Sequence, residues 1–461
     1  MASIIKRKSK YSVVYYYIDS HGEKRQRWET CHSHKEALKR KAEIEHKINE
    51  GTFIPPTEQL VCDFLADFVS LYGEKKWGVS IYDGNTSLIN NYINPIIGDE
   101  PIQNITTLFV DKFYKELEKT KAVATNNRKP ENEFVSLKTI ERIHKLLSCA
   151  FKQAVRWEIL PKNPFEFASV QKTAYEKRDI WTAEMIRTAL NVCRDSKLYI
   201  AINLAFACSL RVGEILGLTW DNVHISDDEI ANDDAHVIID KELGRASKNA
   251  IEALGAKNIL FTFPAVLSSN ASTRLVLMTP KTESSVRKVW LPKTVASIIR
   301  EWKKSQDELK DFLGEEYQDF NLVITLPNGR PCENRVLQKE FGLLKKEAQL
   351  PNVVFHSLRH SSTTYKLKLN HGDLKATQGD TGHAQLNMIT EVYSHILDED
   401  RKVNAQKFEA AFYSNPDLRD VKVSDADSSG FNLQALLEEL QNNPELATTL
   451  AEILSVQKNT G

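Results

Sequence analysis

Ser209 to Trp220 read SLRVGEILGLTW, a stretch that places Arg211 and Glu214 three residues apart on an expected helix. Leu210, Ile215, Leu216 and Leu218 form an apolar stripe around them. That stripe sets both charges near a buried edge, where each needs a partner. Further along, His356 to His360 read HSLRH, the start of another helix, with His356 and Arg359 on one face. A helix N-terminus offers unbonded N–H groups and a positive dipole end, both suited to a phosphate. Between these stretches lies TPKTESSVRKVWLP, with Lys281 between two strand-like runs that suggest a hairpin. Thr381-Gly382-His383 follows, and Tyr393 stands ten residues after His383 in EVYSHI. Each residue alone has an ordinary reading. Arg211 is a surface residue in an i,i+3 ion pair, Lys281 a solvated lysine and Tyr393 a half-buried helix tyrosine. An i,i+4 pair such as His356 and His360 suits zinc, but no HExxH pattern or acidic third ligand accompanies it, so no metal is expected.

The rest of the chain frames this set. Lys and Arg total 61 against 62 Asp and Glu, a formal charge of −1 that excludes a uniformly basic coat protein. The near-zero total hides a basic head and an acidic tail: residues 1–55 hold 12 Lys/Arg against 7 Asp/Glu, and residues 414–461 hold 3 against 8. No apolar run approaches the ~18 residues of a membrane span, and the N-terminus lacks the apolar segment of a signal peptide. Six cysteines without a CxxC pair read as reduced thiols, so a cytoplasmic protein is expected.

Four segments are expected. Residues 1–56 make a small sheet-plus-helix domain: Tyr11 to Ile18 is one strand, Asp19 to Gly22 a turn and Lys24 to Thr30 a returning strand. Ser33 then caps a helix, with Glu36 as its capping-box partner and Gly51 as its stop. Lys6, Arg7, Lys8, Lys10, Arg25 and Arg27 give this head its charge. Residues 60–172 read as helical, with stripes Val61, Phe64, Leu65, Phe68 and Ile140, Ile143, Leu147, Phe151. Asn94-Pro95 and Gly98 to Pro101 punctuate its connections. Residues 175–412 are mixed α/β, and 244–274 read as an insertion or long hairpin loop. The tail, 413–461, has a Ser/Asp linker and a short amphipathic helix through Phe431, Leu433, Leu436, Leu437 and Leu440.

Taken in order, Arg211, Lys281, His356 with Arg359, Gly382-His383 and Tyr393 resemble the active site of the tyrosine recombinases, the phage-integrase family. The gaps of 24 residues from Arg359 to His383 and ten from His383 to Tyr393 carry the likeness, as does Glu214 three after the first arginine. Lys281 is the matching lysine by its PKT context; Lys241, Lys248, Lys257 and Lys288 are nearby lysines open to the same role. Thr381 stands where the family usually has Leu. Residues 1–56 resemble an arm-type DNA-binding domain, and SLKTIERIHKLLSCAFKQAVRWEILPKNPFE (136–166) a core-binding domain. Integrases of conjugative transposons and temperate phages are the nearest subgroup.

The resemblance implies a multidomain α+β fold: a three-stranded-sheet-plus-helix head, an all-α core-binding domain and a mixed α/β catalytic domain. It also implies a site-specific recombinase that integrates and excises a mobile element without metal, ATP or other cofactor. Arg211 and Arg359 would neutralise the pentavalent phosphate, and Tyr393 would attack it to give a 3′-phosphotyrosine. A phenol of pKa ~10 needs help in losing its proton, which falls to His356; Lys281 would protonate the departing 5′-oxygen and His383 would hydrogen-bond the phosphate. The implied partners are double-stranded attachment sites, three further copies in a tetramer on DNA, and accessory directionality or DNA-bending proteins. Two rivals are a DNA-binding relative that has lost catalysis and a type IB topoisomerase. All six site positions hold the expected residue types, against the first, and the arm-type head speaks against the second. The expected location is the bacterial cytoplasm, at the nucleoid when acting.

Overall fold

The computed structural model describes residues 2–377, apart from 19–21, 125–129, 131, 172–178, 266–270, 281–284, 371, 372 and 376. Its first unit is an antiparallel sheet of β1 (Ser3–Arg7), β2 (Lys10–Ile18) and β3 (Lys24–Cys31), in that order. The period-2 alternation of β2 turns Val13 and Tyr15 onto helix α1 (His34–Asn49), where they meet Ala37 and Ile44. Ser33 caps α1 by accepting from the Glu36 N–H at 3.1 Å, while the Glu36 carboxylate accepts from the His32 N–H, one residue before the cap. Gly51 ends the helix with φ of +69°, a conformation that costs glycine nothing.

The second unit is helical: α2 (Val61–Phe68), α3 (Val79–Leu88), α4 (Thr107–Leu117) and α5 (Leu137–Arg156). Their apolar stripes close one core, with Phe64, Phe68, Ile143, Leu147 and Phe151 fully buried. Thr106 and Ser136 accept from the third N–H of α4 and α5 respectively. One expectation needs correcting. Asn94-Pro95 does not break a connection: it lies in a helical run that passes from Val79–Leu88 through the wider π-type turn Ile89–Ile93 into Asn94–Ile97, and that wider turn just before it relaxes the i→i−4 ladder that proline cannot join. The stop comes at Gly98 to Pro101, as expected.

A third core lies in residues 181–358. Helices α6 (Ala183–Val192), α7 (Ser196–Ala207) and α8 (Val212–Leu216) precede β4 (Val223–His224) and β5 (His236–Ile239). Strand β6 (Glu242–Ser247), helix α9 (Lys248–Ala253), β7 (Ile259–Thr262), β8 (Thr273–Met278) and β9 (Arg287–Trp290) follow. The chain then runs through α10 (Lys293–Leu313), α11 (Asn334–Glu347) and α12 (Ser357–Leu369). Trp181 anchors this core, its ring tilted against Phe341 at 5.2 Å and its indole N–H donating to the Pro351 carbonyl at 3.0 Å.

The strands form two sheets, β4-β5-β9 and β6-β8-β7, and this overturns two expectations. Of the two readings of residues 244–274, an insertion or a long hairpin loop, it is the loop that fails: their described residues contribute most of the second sheet and α9. Within the stretch Ala246, Ala250 and Leu254 turn inward, against Val276 and Met278 just beyond it, although the stretch is polar overall. The runs on either side of Lys281 are also not hairpin partners, because β6 and β7 occupy both edges of β8, leaving β9 to pair with β5. The inserted sheet packs on α3 of the helical unit through Val79 and Tyr82. There Asp83 accepts from the Ser247 hydroxyl at 2.5 Å and N–H at 3.0 Å.

Among the described residues no helix is long and apolar enough to cross a membrane. The tail, 413–461, lies outside them.

Candidate active site

The site begins in the turn between α7 and α8. Ser209 takes φ of +54°, a left-handed conformation that costs a non-glycine residue roughly 1 kcal/mol. Its hydroxyl meets the Ser362 hydroxyl of α12 at 2.6 Å, and its carbonyl accepts from Arg359 Nη1. Two residues later Arg211 sits at the N-cap of α8, its side chain one-third exposed. Gly213 and Gly217 let α8 lie directly on β6; a Cβ at Gly217 would come 2.7 Å from the Leu243 nitrogen.

Glu214 points inward from α8 and is 2% exposed. Its Oε1 accepts from Arg211 Nη1 at 2.7 Å and its Oε2 from the Arg211 N–H at 2.9 Å. From β9, Arg287 Nη1 reaches Oε1 at 3.2 Å and Nη2 reaches Oε2 at 3.0 Å. Arg359 comes from α12, 2% exposed, with Nη1 4.0 Å from Oε2. Burial alone would raise the Glu214 pKa; Arg287, by hydrogen bonds and charge, and then Arg211 override it and hold the carboxyl at about 2. Burial, reinforced by Arg211 and Arg287 and opposed by Glu214, draws the Arg359 guanidinium down to about 9, so it stays charged at neutral pH. Three guanidiniums around one carboxylate leave this cluster with two positive charges in excess, in a poorly solvated setting where an anion is strongly favoured.

The structure brings Arg211, Glu214 and Arg359 together. His356 occupies the N-cap of α12, one turn before Arg359 completes that face, and is exposed with its ring edge-on to His360 at 4.9 Å. Lys281, His383 and Tyr393 lie outside the described residues. Of the neighbouring lysines, Lys241 pairs with Asp240 at 2.9 Å, Lys257 reaches the Lys75 carbonyl, Lys288 covers the Trp290 ring and Lys248 opens α9. No group of three His, Cys, Asp or Glu side chains able to share a metal occurs among the described residues.

Arg287 lies in the TPKTESSVRKVWLP stretch, where the sequence singles out only Lys281 and names Lys288. Its signal is alternation: Val289 of β9 is buried, so Arg287 two residues earlier shares the inward face, while Lys288 and Trp290 point out. In the N-terminal sheet the same alternation divides the expected DNA-binding residues. Lys6, Arg25 and Arg27 are in register with Tyr11, Tyr17 and Tyr15, on the α1 side. Arg7 and Lys10 lie on the open side, where Arg7 stacks on Trp28 at 4.4 Å and Tyr16, Lys24 and Gln26 extend the surface. Lys8 stands in the β1–β2 turn.

Residues 266–400 match the model of the phage integrase family, a stretch that holds Lys281, Arg287, His356, Arg359, His383 and Tyr393. The chain carries a phage integrase domain. Arg211 and Glu214 stand upstream of the matched stretch and meet it through Arg287 and Arg359. The ICEBs1 integrase of Bacillus subtilis (strain 168) is 23% identical over 331 residues, 71% of this chain and 77% of that one. A tyrosine recombinase XerC-like protein of Caldanaerobacter subterraneus subsp. tengcongensis is 25% identical, over 59% of this chain and 65% of its own. The Tn1549 transposon integrase, solved in complex with a circular intermediate DNA, superposes with a TM-score of 0.57 at 20% identity. That match covers 76% of this chain and 99% of the other, a likeness of fold.

Proposed function

We propose that the protein is a site-specific tyrosine recombinase that integrates and excises a mobile genetic element. The observation that carries this reading is the convergence of Arg211, Arg287 and Arg359 on a single buried carboxylate, with a surplus of positive charge, beside a helix N-terminus bearing His356. Such a cluster suits a phosphodiester in the act of acquiring charge. The Tn1549 integrase is solved on DNA, which supports double-stranded DNA as the partner here.

In this reading Arg211 and Arg359 hold the two non-bridging oxygens. Tyr393 Oη attacks the phosphorus as its proton passes to His356, the bond from phosphorus to the 5′-oxygen breaks, and Lys281 protonates that oxygen. His383 donates a hydrogen bond to the phosphate. The product is a 3′-phosphotyrosine and a free 5′-hydroxyl. Attack by the 5′-hydroxyl of a second duplex reverses the step and yields a Holliday junction, which a tetramer resolves with a second pair of exchanges. Bond energy is conserved in the ester, so neither ATP nor metal enters. Residues 1–56 and 60–172 grip arm and core sequences, residues 175–412 carry the chemistry, and the 413–461 tail reaches a neighbouring protomer. Accessory bending or directionality proteins set the outcome.

The test is a covalent trap in EDTA: wild type and Tyr393→Phe with nicked DNA from the ends of the encoding element, followed by a denaturing gel. An adduct with wild type alone is expected. An adduct with both proteins would move the nucleophile to another residue. Binding without an adduct from either would mark a DNA-binding protein without strand transfer, and relaxation of plasmids lacking the ends would mark a topoisomerase.

A further inference from the structure

We infer that Arg287 is a positioning residue for strand transfer: by saturating Glu214 from β9, it keeps Arg359 off that carboxylate and fixes Arg211 for the phosphate. The inference rests on the recombinase reading above. A carboxylate offers about four acceptor positions. At Glu214 four donors fill them, two from Arg287 and two from Arg211. Arg359 keeps only the longer 4.0 Å ion-pair contact with Oε2 and gives its Nη1 to the Ser209 carbonyl. With Arg287 removed, two acceptor positions open within reach of a buried guanidinium, and Arg359 closes on Glu214. The arginine meant for the phosphate is then neutralised by its own protein.

Arg287 is built for this holding role: its Nη1 and Nη2 are both committed to the Glu214 carboxylate. Its backbone is fixed opposite Ile239 in the β5–β9 ladder. Its Nη1 also donates to the Ser285 carbonyl at 3.0 Å, tying down the chain four residues after Lys281.

The test measures single-turnover adduct formation and DNA binding side by side for wild type, Arg287→Gln, Arg287→Lys, Glu214→Gln and the double variant Glu214→Gln/Arg287→Gln. Misplacement of catalytic groups by about 1 Å costs on the order of 100-fold, so Arg287→Gln is expected to slow adduct formation by about 10- to 100-fold with binding retained. Arg287→Lys, which keeps the charge without the fork, should recover part of the rate. In the Glu214→Gln background the same change should cost less than about threefold, because the two residues act as one unit. The acid limb of the rate profile should also move to higher pH in Arg287→Gln. The groups facing Glu214 are then Arg211 from α8 and Arg359 from α12, with the Glu242 carboxylate of β6 beside Gly213.

Wild-type rates and pH profile in Arg287→Gln would overturn the inference, as would an equal loss in both backgrounds. If Arg287→Gln does not fold, Arg287→Lys decides: full binding with slowed cleavage supports the role, and wild-type cleavage overturns it. Absence of any adduct from wild type would fell the recombinase reading itself, and this inference with it.

Discussion

Replacing Glu214 by Gln keeps the volume of the side chain and removes its charge. Arg287 and Arg359, both nearly inaccessible to water, then face each other and Arg211 with no carboxylate between them. Two routes give the cost. Breaking a buried ion pair by removing one partner destabilises by roughly 3–5 kcal/mol. The carboxyl itself falls from an ordinary 4.5 to about 2, and each tenfold change in proton affinity is about 1.4 kcal/mol, so the folded site favours the charged form by about 3 kcal/mol. The sign follows from the direction. A depressed pKa gives stability that is complete above the unfolded value near 4.5 and is lost as pH falls toward 2. Urea unfolding followed by tryptophan fluorescence, with Trp181 in the affected core, should show Glu214→Gln weaker than wild type by about 3 kcal/mol at pH 7. That gap should narrow steadily below pH 4.5, because the wild type alone loses the charge. A gap under about 1 kcal/mol at pH 7, in the range of a surface pair, would refute the buried-hub argument. So would a gap that acid leaves unchanged.

Four other expectations concern separate parts of the molecule. Asp83→Ala leaves the Ser247 N–H and hydroxyl without their acceptor, at a cost of about 1–3 kcal/mol, so amide exchange across Val79–Leu88 and Lys248–Ala253 should quicken; unchanged exchange would mean the pairing holds neither helix. Ser209→Gly should melt above Ser209→Ala by about 1 kcal/mol, since glycine relieves the positive φ that alanine keeps while both lose the hydroxyl bridge to Ser362; the reverse order in thermal unfolding would discount the strain. Arg7→Ala on the open face of the N-terminal sheet should lower the salt dependence of DNA binding, by about 0.9 in the log–log slope for each phosphate no longer neutralised, and Arg25→Ala on the α1 side should not; equal effects would discard the face assignment. Exposed Cys149 should be alkylated at pH 8 at least about tenfold faster than Cys332, which is buried with its thiol pushed up to about 11; comparable labelling in peptide mass spectra would count against the packing around Cys332.

Helical stripes and caps are legible in the sequence because they are local. Phe64, Phe68, Ile143 and Phe151 announce their faces within one or two turns, and Ser33 with Glu36 announces a helix start. The grouping of Arg211 with Glu214 is legible too, because the two stand one helical turn apart beside an apolar stripe. Strand partnership is not. The runs flanking Lys281 look like two arms of a hairpin, yet β8 is taken by β6 and β7, and nothing within either run records which neighbour wins. The polarity of 244–274 likewise conceals a sheet whose inward positions are small, Ala246 and Gly244 among them, and so carry a weak apolar signal.

Arg287 is the instructive omission, because its contact with Glu214 spans 73 residues and yet the need for it could be stated in advance. The apolar stripe around SLRVGEILGLTW already sets Glu214 at a buried edge, and one arginine three residues away, itself at the helix start and reachable by solvent, compensates a buried carboxylate only in part. A second cation is then required from elsewhere in the same core. The candidate must be a basic residue on the inward face of a buried element. In VRKVW the alternation with Val289 selects Arg287 over Lys288, whose ammonium stays outside on Trp290. Charge balance thus extends a local reading across the fold: a carboxylate forced inward by its apolar neighbours demands as many partners as its burial costs, and strand parity says which distant arginine can reach it.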